Sequence, residues 1–385
     1  MAACLRAQHE STGISMKIIY DHQIFIRQKY GGISRYFFEL ASRIPSMQGN
    51  HADIFAPLHI NAYLGDGAQS TSRGVRLSKF RGSTVALDLF NGIAGSFSVK
   101  NRRDIDIVHR TYYAPTSYAP ARSKRVLTVF DMIHERFPES LKDNGKTAAM
   151  KQAAVRNADH IICISENTRR DLIEILDVPE RMTSVVYLGH SLIGKATAGS
   201  GYQPPCHKPY LLYVGNRGGY KNFMNLIAAY GQSRALRNSF AMIFFGGGGF
   251  TDDERQAMRS HGMSMEDAIH VEGGDEVLAS LYSGAAAFIY PSLYEGFGIP
   301  PLEAMAHGCP VLCSGTSSLP EVVGEAAELF DPHDPNDICA AIERVVSSEQ
   351  RSSTLIARGH EQIKRFSWKK CAIETLDQYQ RLVGA

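Results

Sequence analysis

Two carboxylates eight residues apart bracket a glycine-rich turn that could bind an anionic ligand with neighbouring hydroxyl groups. Glu295 precedes Gly296 and Gly298 in the run YEGFGIPPLEAM, and Glu303 follows two prolines that suit the first turn of a helix. Glycine lets backbone amides approach a ligand, and a helix N-terminus adds unpaired N–H groups and partial positive charge. Each carboxylate can accept two hydroxyl hydrogens, as a diol requires. The alternative is a structural acidic turn.

A second turn carries two cations that suit a diphosphate. In the run YVGNRGGYKN a strand-like stretch ends at Gly215, and Arg217 and Lys221 follow it. Lysine presents a point charge and arginine a bidentate fork to phosphate oxygens, while the glycines let backbone amides reach the same anion. The alternative is an exposed turn with solvated basic side chains.

Two further glycine turns follow strand-like runs. Gly246 and Gly247 begin the four glycines of FFGGGGF, and Gly31 and Gly32 precede a helical pattern in YGGIS. Glycines permit close backbone approach or positive φ, although a simple turn is the alternative for the run FFGGGGF. The Gly31–Gly32 turn lacks GxGxxG spacing, and no strand-end acid follows at the dinucleotide distance, which disfavours NAD binding.

Polar residues at the carboxyl ends of strand-like runs are candidates for ligand contacts, because α/β sheets place their ligand sites there. Asp131 and His134 follow the run VLTVF, and His109 ends the run IVH. A local capping role is the alternative for Asp131 and His134. Ser165 is interpreted first as a helix cap.

The sequence predicts no metal site. Asp104 and Asp106 form a lone DxD motif, a spacing that can hold a divalent ion beside a diphosphate. They stand directly before an apolar strand and far from the turns described above, so we interpret them as a solvated loop. The seven cysteines show neither CxxC nor zinc-ligand spacing and are predicted to be buried thiols in a reducing compartment.

The elements that must hold these turns alternate between short apolar runs and helical patterns, which predicts an α/β fold with parallel sheets. Helical patterns include 34–43 and 144–157. The predicted strands fall into two series, the first at 17–20, 52–55, 107–109, 125–130, 160–164 and 183–187, and the second at 211–214, 241–245, 268–271, 287–290, 311–313 and 328–330.

Composition between the two series predicts the domain boundaries. Residues 192–207, rich in Gly, Ser, Ala and Pro, form the best linker. Residues 1–15 lack the apolar segment of a secretory signal and are predicted to be a disordered leader. Two doubly wound domains are then predicted at 16–191 and 208–365. The tail 366–385 begins with Ser367, a good N-cap, and is predicted to be a helix anchored by Trp368.

Charge is unevenly distributed along the chain. Residues 1–190 carry 25 Lys+Arg against 18 Asp+Glu, a balance of +7, whereas the remainder carries 16 against 21, a balance of −5. This magnitude is too small for a dedicated nucleic-acid binder but suits an anionic acceptor or weak attraction to an anionic membrane. No apolar run reaches the ~18–20 residues that span a bilayer, so we predict a cytoplasmic protein, at most at the inner face of the membrane.

Residues 290–332 (YPSLYEGFGIPPLEAMAHGCPVLCSGTSSLPEVVGEAAELFDP) resemble the donor-site signature of the retaining glycosyltransferase family 4. The family motif E-x7-E is matched by Glu295 and Glu303. The resemblance covers nearly the whole chain and is strongest from Tyr210 to Pro332. It implies a GT-B fold, in which two Rossmann-like domains face a central cleft. The N-terminal domain would bind the acceptor, the C-terminal domain would bind the nucleotide sugar, and the final helix would pack back on the N-terminal domain.

The resemblance also implies roles for particular residues. Glu303 would bind the donor ribose, Glu295 the transferred sugar, and the amides of Gly296, Phe297 and Gly298 the sugar and diphosphate. Lys221 and Arg217 would stabilise the leaving phosphate. The remaining donor contacts are assigned to glycine turns and to the run GGDEV beside the base, at Gly31, Gly32, Gly215, Gly246, Gly247, Asp275, Glu276 and Val277.

The chain departs from the family pattern at two places. Related sequences often have His-Asp where this chain has Phe130-Asp131, which leaves Asp131 and His134 as candidates for sugar or acceptor contacts. Arg217 lies between the usual positions of the phosphate-binding arginine, where this chain has Asn216 and Tyr220.

The sequence therefore predicts a metal-independent transferase that needs no cofactor beyond its nucleotide-sugar donor. Similarity of GGISRYF and VGNRGGYKN to bacterial polysaccharide mannosyltransferases favours GDP-mannose, with UDP-hexoses and dTDP-rhamnose open, and a lipid-linked glycan as acceptor. With no obvious covalent nucleophile, attack on the same face of the sugar is favoured. A non-catalytic sugar-nucleotide-binding protein and a UDP-sugar 2-epimerase are the alternatives.

Overall fold

The computed structural model describes residues 15–47, 49–65, 74–114, 117–141, 143–190, 202 and 204–384. The predicted leader, apart from its last residue, and most of the predicted linker lie outside the described residues. Within this part of the chain no helix is both long and apolar enough to cross a bilayer.

Two six-stranded sheets form the framework, and parallel pairing of neighbouring strands builds them. The predicted α/β class and both strand series are confirmed. The first sheet has the order β2-β1-β5-β6-β7-β8 and the second β11-β10-β9-β12-β13-β14. The strands are β1 (Lys17–Tyr20), β2 (His51–Ile54), β3 (Leu58–His59), β4 (Val75–Arg76), β5 (Ile107–Arg110), β6 (Lys124–Val129), β7 (His160–Cys163), β8 (Thr183–Val185), β9 (Tyr210–Val214), β10 (Ala241–Phe245), β11 (Ala268–Val271), β12 (Ala287–Tyr290), β13 (Val311–Ser314) and β14 (Ala327–Phe330).

Helices connect the strands, as parallel neighbours require. They are α1 (Gly32–Arg43), α2 (Ser83–Ser98), α3 (Ile133–Arg136), α4 (Lys146–Arg156), α5 (Glu166–Leu176), α6 (Phe223–Gln232), α7 (Arg234–Ser239), α8 (Asp252–Ser260), α9 (Asp275–Gly284), α10 (Ile299–Ala306), α11 (Leu319–Val323), α12 (Pro335–Val346), α13 (Glu349–Gln362) and α14 (Trp368–Gly384).

Two features of the fold were not predicted. β3 and β4 form a separate two-residue parallel pair, too short to show a period. α2 was missed because its sequence, STVALDLFNGIAGSFS, contains two glycines and lacks the charged outer face that usually marks a surface helix.

The chain divides into two compact units. One comprises residues 1–128, 150–161 and 372–385, and the other comprises 129–149 and 162–371. The predicted domains at 16–191 and 208–365 were based on the two series of strands along the sequence, and they differ from these two units. The predicted boundaries stay a prediction.

The last helix begins as predicted, with the Ser367 hydroxyl accepting a hydrogen bond from the Lys370 amide at 3.1 Å. Its carboxyl-terminal part belongs to the first unit, where the Tyr379 hydroxyl contacts His109 Nδ1. Burial lowers the pKa of His109 to about 3, with a smaller contribution from His160. His109 is therefore a neutral core residue and not the ligand contact that its strand-end position suggested.

Candidate functional site

The second sheet reverses its winding direction between β9 and β12. From β9 the chain adds β10 and β11 on one side, and then adds β12, β13 and β14 on the other. Loops after two such strands diverge and leave a crevice at the carboxyl edge of the sheet. The loop after β9 carries Lys221, and the loop after β12 carries Glu295. The topology therefore brings together the two turns that the sequence singled out.

Lys221 and Glu295 form an ion pair in this crevice. The Nζ of Lys221 lies 2.6 Å from Oε1 of Glu295 and 3.4 Å from the hydroxyl of Tyr290. The two side chains are 16% and 11% exposed, so the pair is largely withdrawn from water. The Leu293 amide donates to the Tyr220 carbonyl at 2.8 Å, which ties the two loops together at the backbone.

The pair determines the electrostatics of its surroundings. Burial disfavours the charged form of Lys221, but the charge and hydrogen bond of Glu295, together with smaller effects of Tyr220 and Asp131, outweigh it, and the pKa of Lys221 is raised. Lys221 is therefore a cation at neutral pH. Burial, followed by the charge on Glu295, holds the pKa of Tyr290 well above its usual value. Among the described residues, the crevice thus holds the Lys221 cation, its partner carboxylate Glu295 and neutral hydroxyls. These groups suit an anionic, hydroxyl-bearing ligand that replaces Glu295 as the partner of Lys221.

Three consecutive hydroxyl residues after β13 hold the Glu295 loop in place, and sequence reasoning missed them. Ser317 Oγ accepts from the Glu295 amide at 3.0 Å, and Ser318 Oγ donates to the Glu295 carbonyl at 2.8 Å. Thr316 Oγ1 donates to the Leu293 carbonyl at 3.0 Å. The signal was present as the polar run SGTSS after a buried strand. These contacts restrict the loop before any ligand binds.

Gly296 and Gly298 serve two different local requirements. A Cβ on Gly296 would overlap the Phe130 carbonyl oxygen and lie 3.0 Å from Cβ of Asp131. Gly298 has φ of 101°, in the left-handed region, and is the N-cap of α10. The amides of Gly296, Phe297 and Gly298 have no acceptor within the described parts of the chain.

The position of Glu303 differs slightly from the prediction. The helix begins at Ile299, before the two prolines rather than after them, and Glu303 is its fifth residue. Glu303 therefore lies beyond the first turn, and its carboxylate, after the larger effect of burial, raises the pKa of Tyr282. The contact of Glu303 with a ribose stays a prediction.

Arg217 makes contacts other than those predicted for it. Its Nε lies 2.9 Å from Oε1 of Glu254, and its terminal nitrogens donate to the carbonyls of Gly246 at 2.9 Å and Gly248 at 2.7 Å. The side chain is 3% exposed. Gly246 and Gly248 both have positive φ, the backbone conformation that curls this loop around the guanidinium. In this structure Arg217 clamps the glycine loop after β10.

Asp131 and His134 contact different residues. Asp131 follows β6, lies against Gly296, and contributes a smaller upward effect, after burial and the charge of Glu295, to the pKa of Lys221. His134 instead approaches Asp143, with Nε2 3.7 Å from the carboxylate. The structure therefore places Asp131 near the Lys221–Glu295 pair and His134 beside Asp143, and a contact of either residue with a sugar or an acceptor stays a prediction.

The other predicted donor residues occupy the turns expected for them. Gly215, with φ of 130°, directly follows β9. Gly31 and Gly32 belong to the other unit, where Gln28 Oε1 accepts from the Ser34 amide at 3.2 Å and so occupies one N–H of the first turn of α1. Asp275, Glu276 and Val277 form the first turn of α9.

The first sheet also reverses its winding, between β1 and β5. Asp21, His22 and Gln23 follow β1 directly, and His22 Nε2 lies 3.0 Å from Oδ1 of Asp88 on α2. The hydrogen bond with His22 lowers the pKa of Asp88, and the bond from Gln23 adds to this against partial burial. These residues line one side of a pocket of about 570 Å³, and apolar residues of α2 line the other. Sequence reasoning missed this cluster, although the polar run DHQ after a buried strand marks it.

Asp104, of the DxD motif, is already paired. Its carboxylate lies 2.8 Å from Lys17 Nζ and 2.8 Å from a terminal nitrogen of Arg102. Hydrogen bonds from Arg102 and then Lys17 hold the pKa of Asp104 well below its usual value. Asp106 accepts from the Lys17 amide at 2.8 Å.

Two family models match the chain. The model described as Glycosyltransferase Family 4 matches residues 30–192, and that described as Glycosyl transferases group 1 matches residues 202–362. The chain belongs to glycosyltransferase family 4. The resemblance seen in residues 290–332 is confirmed, and the protein is a glycosyltransferase.

Full-length relatives support this assignment. This family 4 transferase is 28% identical to the O-antigen chain mannosyltransferase B of Escherichia coli, over 95% of its own length and 100% of that protein. It is 27% identical to the D-inositol 3-phosphate glycosyltransferase of a Nocardioides species, over 91% of its length and 85% of that protein.

Solved structures confirm the fold. Sucrose-phosphate synthase of Thermosynechococcus elongatus matches 96% of this chain and 99% of its own, with a TM-score of 0.73 at 21% identity. Anabaena HepE in complex with UDP and glucose matches 94% and 99%, with a TM-score of 0.66 at 17% identity. The family 4 transferase has the GT-B fold.

The clamp formed by Arg217 leads to a testable prediction about this transferase. Arg217→Ala leaves the largely buried Glu254 without its cation, and we expect the free energy of unfolding to fall by about 3–5 kcal/mol. A looser glycine loop should raise the donor KM by about tenfold, the loss of roughly one hydrogen bond to a charged group, and leave kcat within a factor of about two. Urea unfolding and steady-state kinetics measure both effects.

Glu254→Gln is the matched control, because it removes the charge of the acidic partner in the same Arg217–Glu254 ion pair. Although burial opposes it, hydrogen bonding to Arg217 lowers the pKa of Glu254 below the usual 4.5. This stabilisation is complete above pH 4.5 and is lost as the pH falls through the lower folded-state pKa. Glu254→Gln should remove this acid-side dependence and raise KM as Arg217→Ala does. A loss of kcat in Arg217→Ala alone would contradict the clamp and indicate a phosphate contact.

Proposed function

We propose that this transferase moves a mannosyl group from GDP-mannose to a saccharide acceptor in bacterial polysaccharide synthesis, with retention of anomeric configuration. The observation that carries the proposal is the buried Lys221–Glu295 pair at the switch point between β9 and β12, beside three backbone amides that have no acceptor among the described residues. The mannosyl specificity is supported by the E. coli relative, whose name is that of an O-antigen mannosyltransferase.

The donor would lie across the crevice with its diphosphate against Lys221. Without a donor, Glu295 neutralises this cation at 2.6 Å. A bound diphosphate would take over that role, and Glu295 would turn to hydroxyls of the sugar. As the bond between the anomeric carbon and the β-phosphate oxygen breaks, negative charge accumulates on that oxygen. Lys221 and the amides of Gly296, Phe297 and Gly298 would stabilise it, which is catalysis by preorganised charge.

Retention would follow if the acceptor attacks the face that the phosphate leaves. In this proposal the acceptor hydroxyl forms the new bond to the anomeric carbon and passes its proton to the departing phosphate oxygen. No protein residue is used as a covalent nucleophile and no metal ion is used. Transfer measured in excess EDTA tests whether a metal ion is needed. Activity that disappears in EDTA and returns with Mn²⁺ or Mg²⁺ would contradict the proposed metal-independent reaction.

The acceptor would bind at the switch point of the first sheet. Asp21, His22, Gln23 and Asp88 offer donors and acceptors for sugar hydroxyls, and the apolar residues of α2 offer a surface for a lipid. A pocket with one polar and one apolar side suits a lipid-linked saccharide. The protein would then meet its acceptor in the cytoplasm, at the inner face of the membrane.

Thermal-shift measurements with GDP-, UDP-, dTDP- and ADP-sugars test the donor directly. A ligand that binds only the folded state raises Tm, by an amount that grows with its concentration relative to Kd. GDP-mannose should give the largest shift and should be consumed when a mannoside acceptor is added. Binding without turnover would identify a non-catalytic sugar-nucleotide-binding protein, and turnover of a UDP-sugar without acceptor would identify an epimerase.

Glu303 and Glu295, the two glutamates of the family motif, should have different roles in binding the donor. Glu303→Gln should weaken binding of GDP itself by about 1.5–3 kcal/mol, the value of hydrogen bonds to a charged group. Glu295→Gln should spare GDP affinity but lower kcat and reduce discrimination among sugars, because its contacts strengthen as the sugar approaches the transition state. Calorimetry with GDP and steady-state kinetics with the full donor separate the two. The opposite pattern would mean that the donor lies in the reverse direction.

A further inference from the structure

Large exposed apolar side chains are concentrated in one short segment. Of the eleven that the described residues contain, seven lie between 75 and 97. A concentration of exposed apolar side chains of this kind on a globular protein points to an interaction site. The seven are Val75, Phe80, Val85, Leu89, Phe90, Ile93 and Phe97.

In α2 the usual orientation of an amphipathic helix is inverted. At about 100° per residue, the positions from Val85 to Phe97 that carry exposed apolar side chains cover about 140° of the helix circumference. Val85 is 75% and Phe97 80% exposed. The face turned toward the protein carries Ser83, Leu87, Asn91 and Gly95, of which only Leu87 is a large apolar residue.

Specific contacts hold the helix in this orientation. Asn91 accepts from the Leu58 amide at 3.0 Å and donates to the Leu58 carbonyl at 2.8 Å. Gly95 lies against the ring of Tyr118, where a Cβ would overlap it. Asp88 is held by His22 and Gln23. Rotation of α2 to bury its apolar face would break all of these contacts, so the exposure is built into the fold.

Basic residues flank the apolar face at both ends. Within 75–106 the sequence has six lysines and arginines and three acids, of which Asp88 is engaged with His22 and Asp104 is paired with Arg102. Anionic headgroups attract such cations by about 1 kcal/mol for each residue near the surface. A second copy of the chain fits this face poorly, because both flanks are positive and would meet positive flanks. The six are Arg76, Lys79, Arg81, Lys100, Arg102 and Arg103.

We propose that α2 and the preceding Lys79–Arg81 turn bind the surface of an anionic bilayer. The helix would lie in the plane of the interface, with its aromatic and aliphatic side chains at the boundary of the acyl chains and the flanking cations at the headgroups. Only the biological purpose of this membrane binding rests on the proposed function. That purpose is to bring the pocket beside His22 to a lipid-linked acceptor. The binding itself needs neither donor nor acceptor.

Sedimentation with vesicles tests the proposal. Vesicles of phosphatidylcholine containing phosphatidylglycerol should bind the protein, and vesicles of phosphatidylcholine alone should bind at least about tenfold less. The variants Phe80→Ser/Phe90→Ser and Lys79→Glu/Arg81→Glu should each lower the partition coefficient by about tenfold or more. Val85, Leu89, Ile93 and Phe97 of the same helix line the pocket and are left unchanged, whereas none of the four substituted residues lines it. All are exposed, so Tm should not change.

Matched controls are available elsewhere on the surface. Ile373→Ser removes an exposed apolar side chain from α14, and Arg234→Glu/Arg259→Glu reverses two exposed charges in α7 and α8. Both should bind anionic vesicles like the wild type. Transfer to a soluble mannoside should stay at the wild-type rate in the Phe80 and Lys79 variants, so loss of membrane binding and failure of the proposed transfer reaction are distinguishable.

Three results would overturn the proposal. The first is vesicle binding by the α2 variants that equals that of the wild type. The second is binding that appears only when the vesicles contain a lipid-linked saccharide, which would assign the face to the acceptor. The third is a dimer in sedimentation velocity that the Phe80→Ser/Phe90→Ser variant dissociates, which would assign the face to a second copy.

Discussion

We expect Lys221→Met to lower kcat by about 10²–10³, the usual cost of removing one preorganised charge from a developing anion. The side chain is 16% exposed and its Nζ lies 2.6 Å from Glu295. The substitution also leaves Glu295 without its partner in a largely buried site, and we expect the free energy of unfolding to fall by about 3–5 kcal/mol. Steady-state kinetics and urea unfolding measure the two effects.

The double variant Lys221→Met/Glu295→Gln separates catalysis from stability. Removing both charges should recover most of the lost stability, because no unpaired charge remains, but it should not recover kcat. Arg234→Met, a change at an exposed cation in the same unit, should leave both quantities unchanged. If the double variant recovers activity together with stability, Lys221 is a structural ion-pair partner only.

Gly296→Ala should lower kcat by about 10² or more, because the new methyl group would overlap the Phe130 carbonyl oxygen. That oxygen belongs to the backbone directly after β6 and cannot rotate away, so the Glu295 loop must move. Displacement of a reacting group by about 1 Å is enough for a rate loss of this size. Overpacking should also lower the free energy of unfolding by about 1–3 kcal/mol. Kinetics and thermal unfolding check both values.

Gly218→Ala is the control for this substitution. Gly218 lies in the neighbouring loop, has a φ of −89° as N-cap of the turn that contains Lys221, and has no heavy atom within 4 Å of the place that a Cβ would take. Its replacement should change kcat and stability little. Equal losses in the two variants would mean that methyl groups anywhere in these loops are harmful, and the specific contact with Phe130 would not be the cause.

Much of the donor crevice could be predicted from the sequence. Apolar runs marked all twelve strands of the two sheets, because strands buried on both faces are continuous hydrophobic segments. Lys221 and Glu295 were singled out as candidates because a cation and a carboxylate suit an anionic, hydroxyl-bearing ligand, and because both follow such strands. The pattern of residues within short segments of the chain was sufficient for these predictions.

Other features depended on contacts between residues far apart in sequence. No local pattern indicates that Arg217 contacts Glu254 and the glycine loop, because both partners lie about 30 or more residues further along the chain. His22 and Asp88 are 66 residues apart and meet only because α2 packs beside the end of β1.

The outward apolar face of α2 is the clearest case of this kind. Its sequence shows many apolar residues but not which of them the protein covers, and hydrophobic periodicity alone would have assigned that face to the core. The orientation is decided by Asn91, Gly95 and Asp88, each of which has a partner in another element. The sequence by itself determined the strands, the loops and the chemical types they carry. The tertiary structure decided which charges pair and which faces meet the solvent, because these depend on the free energy of non-local contacts.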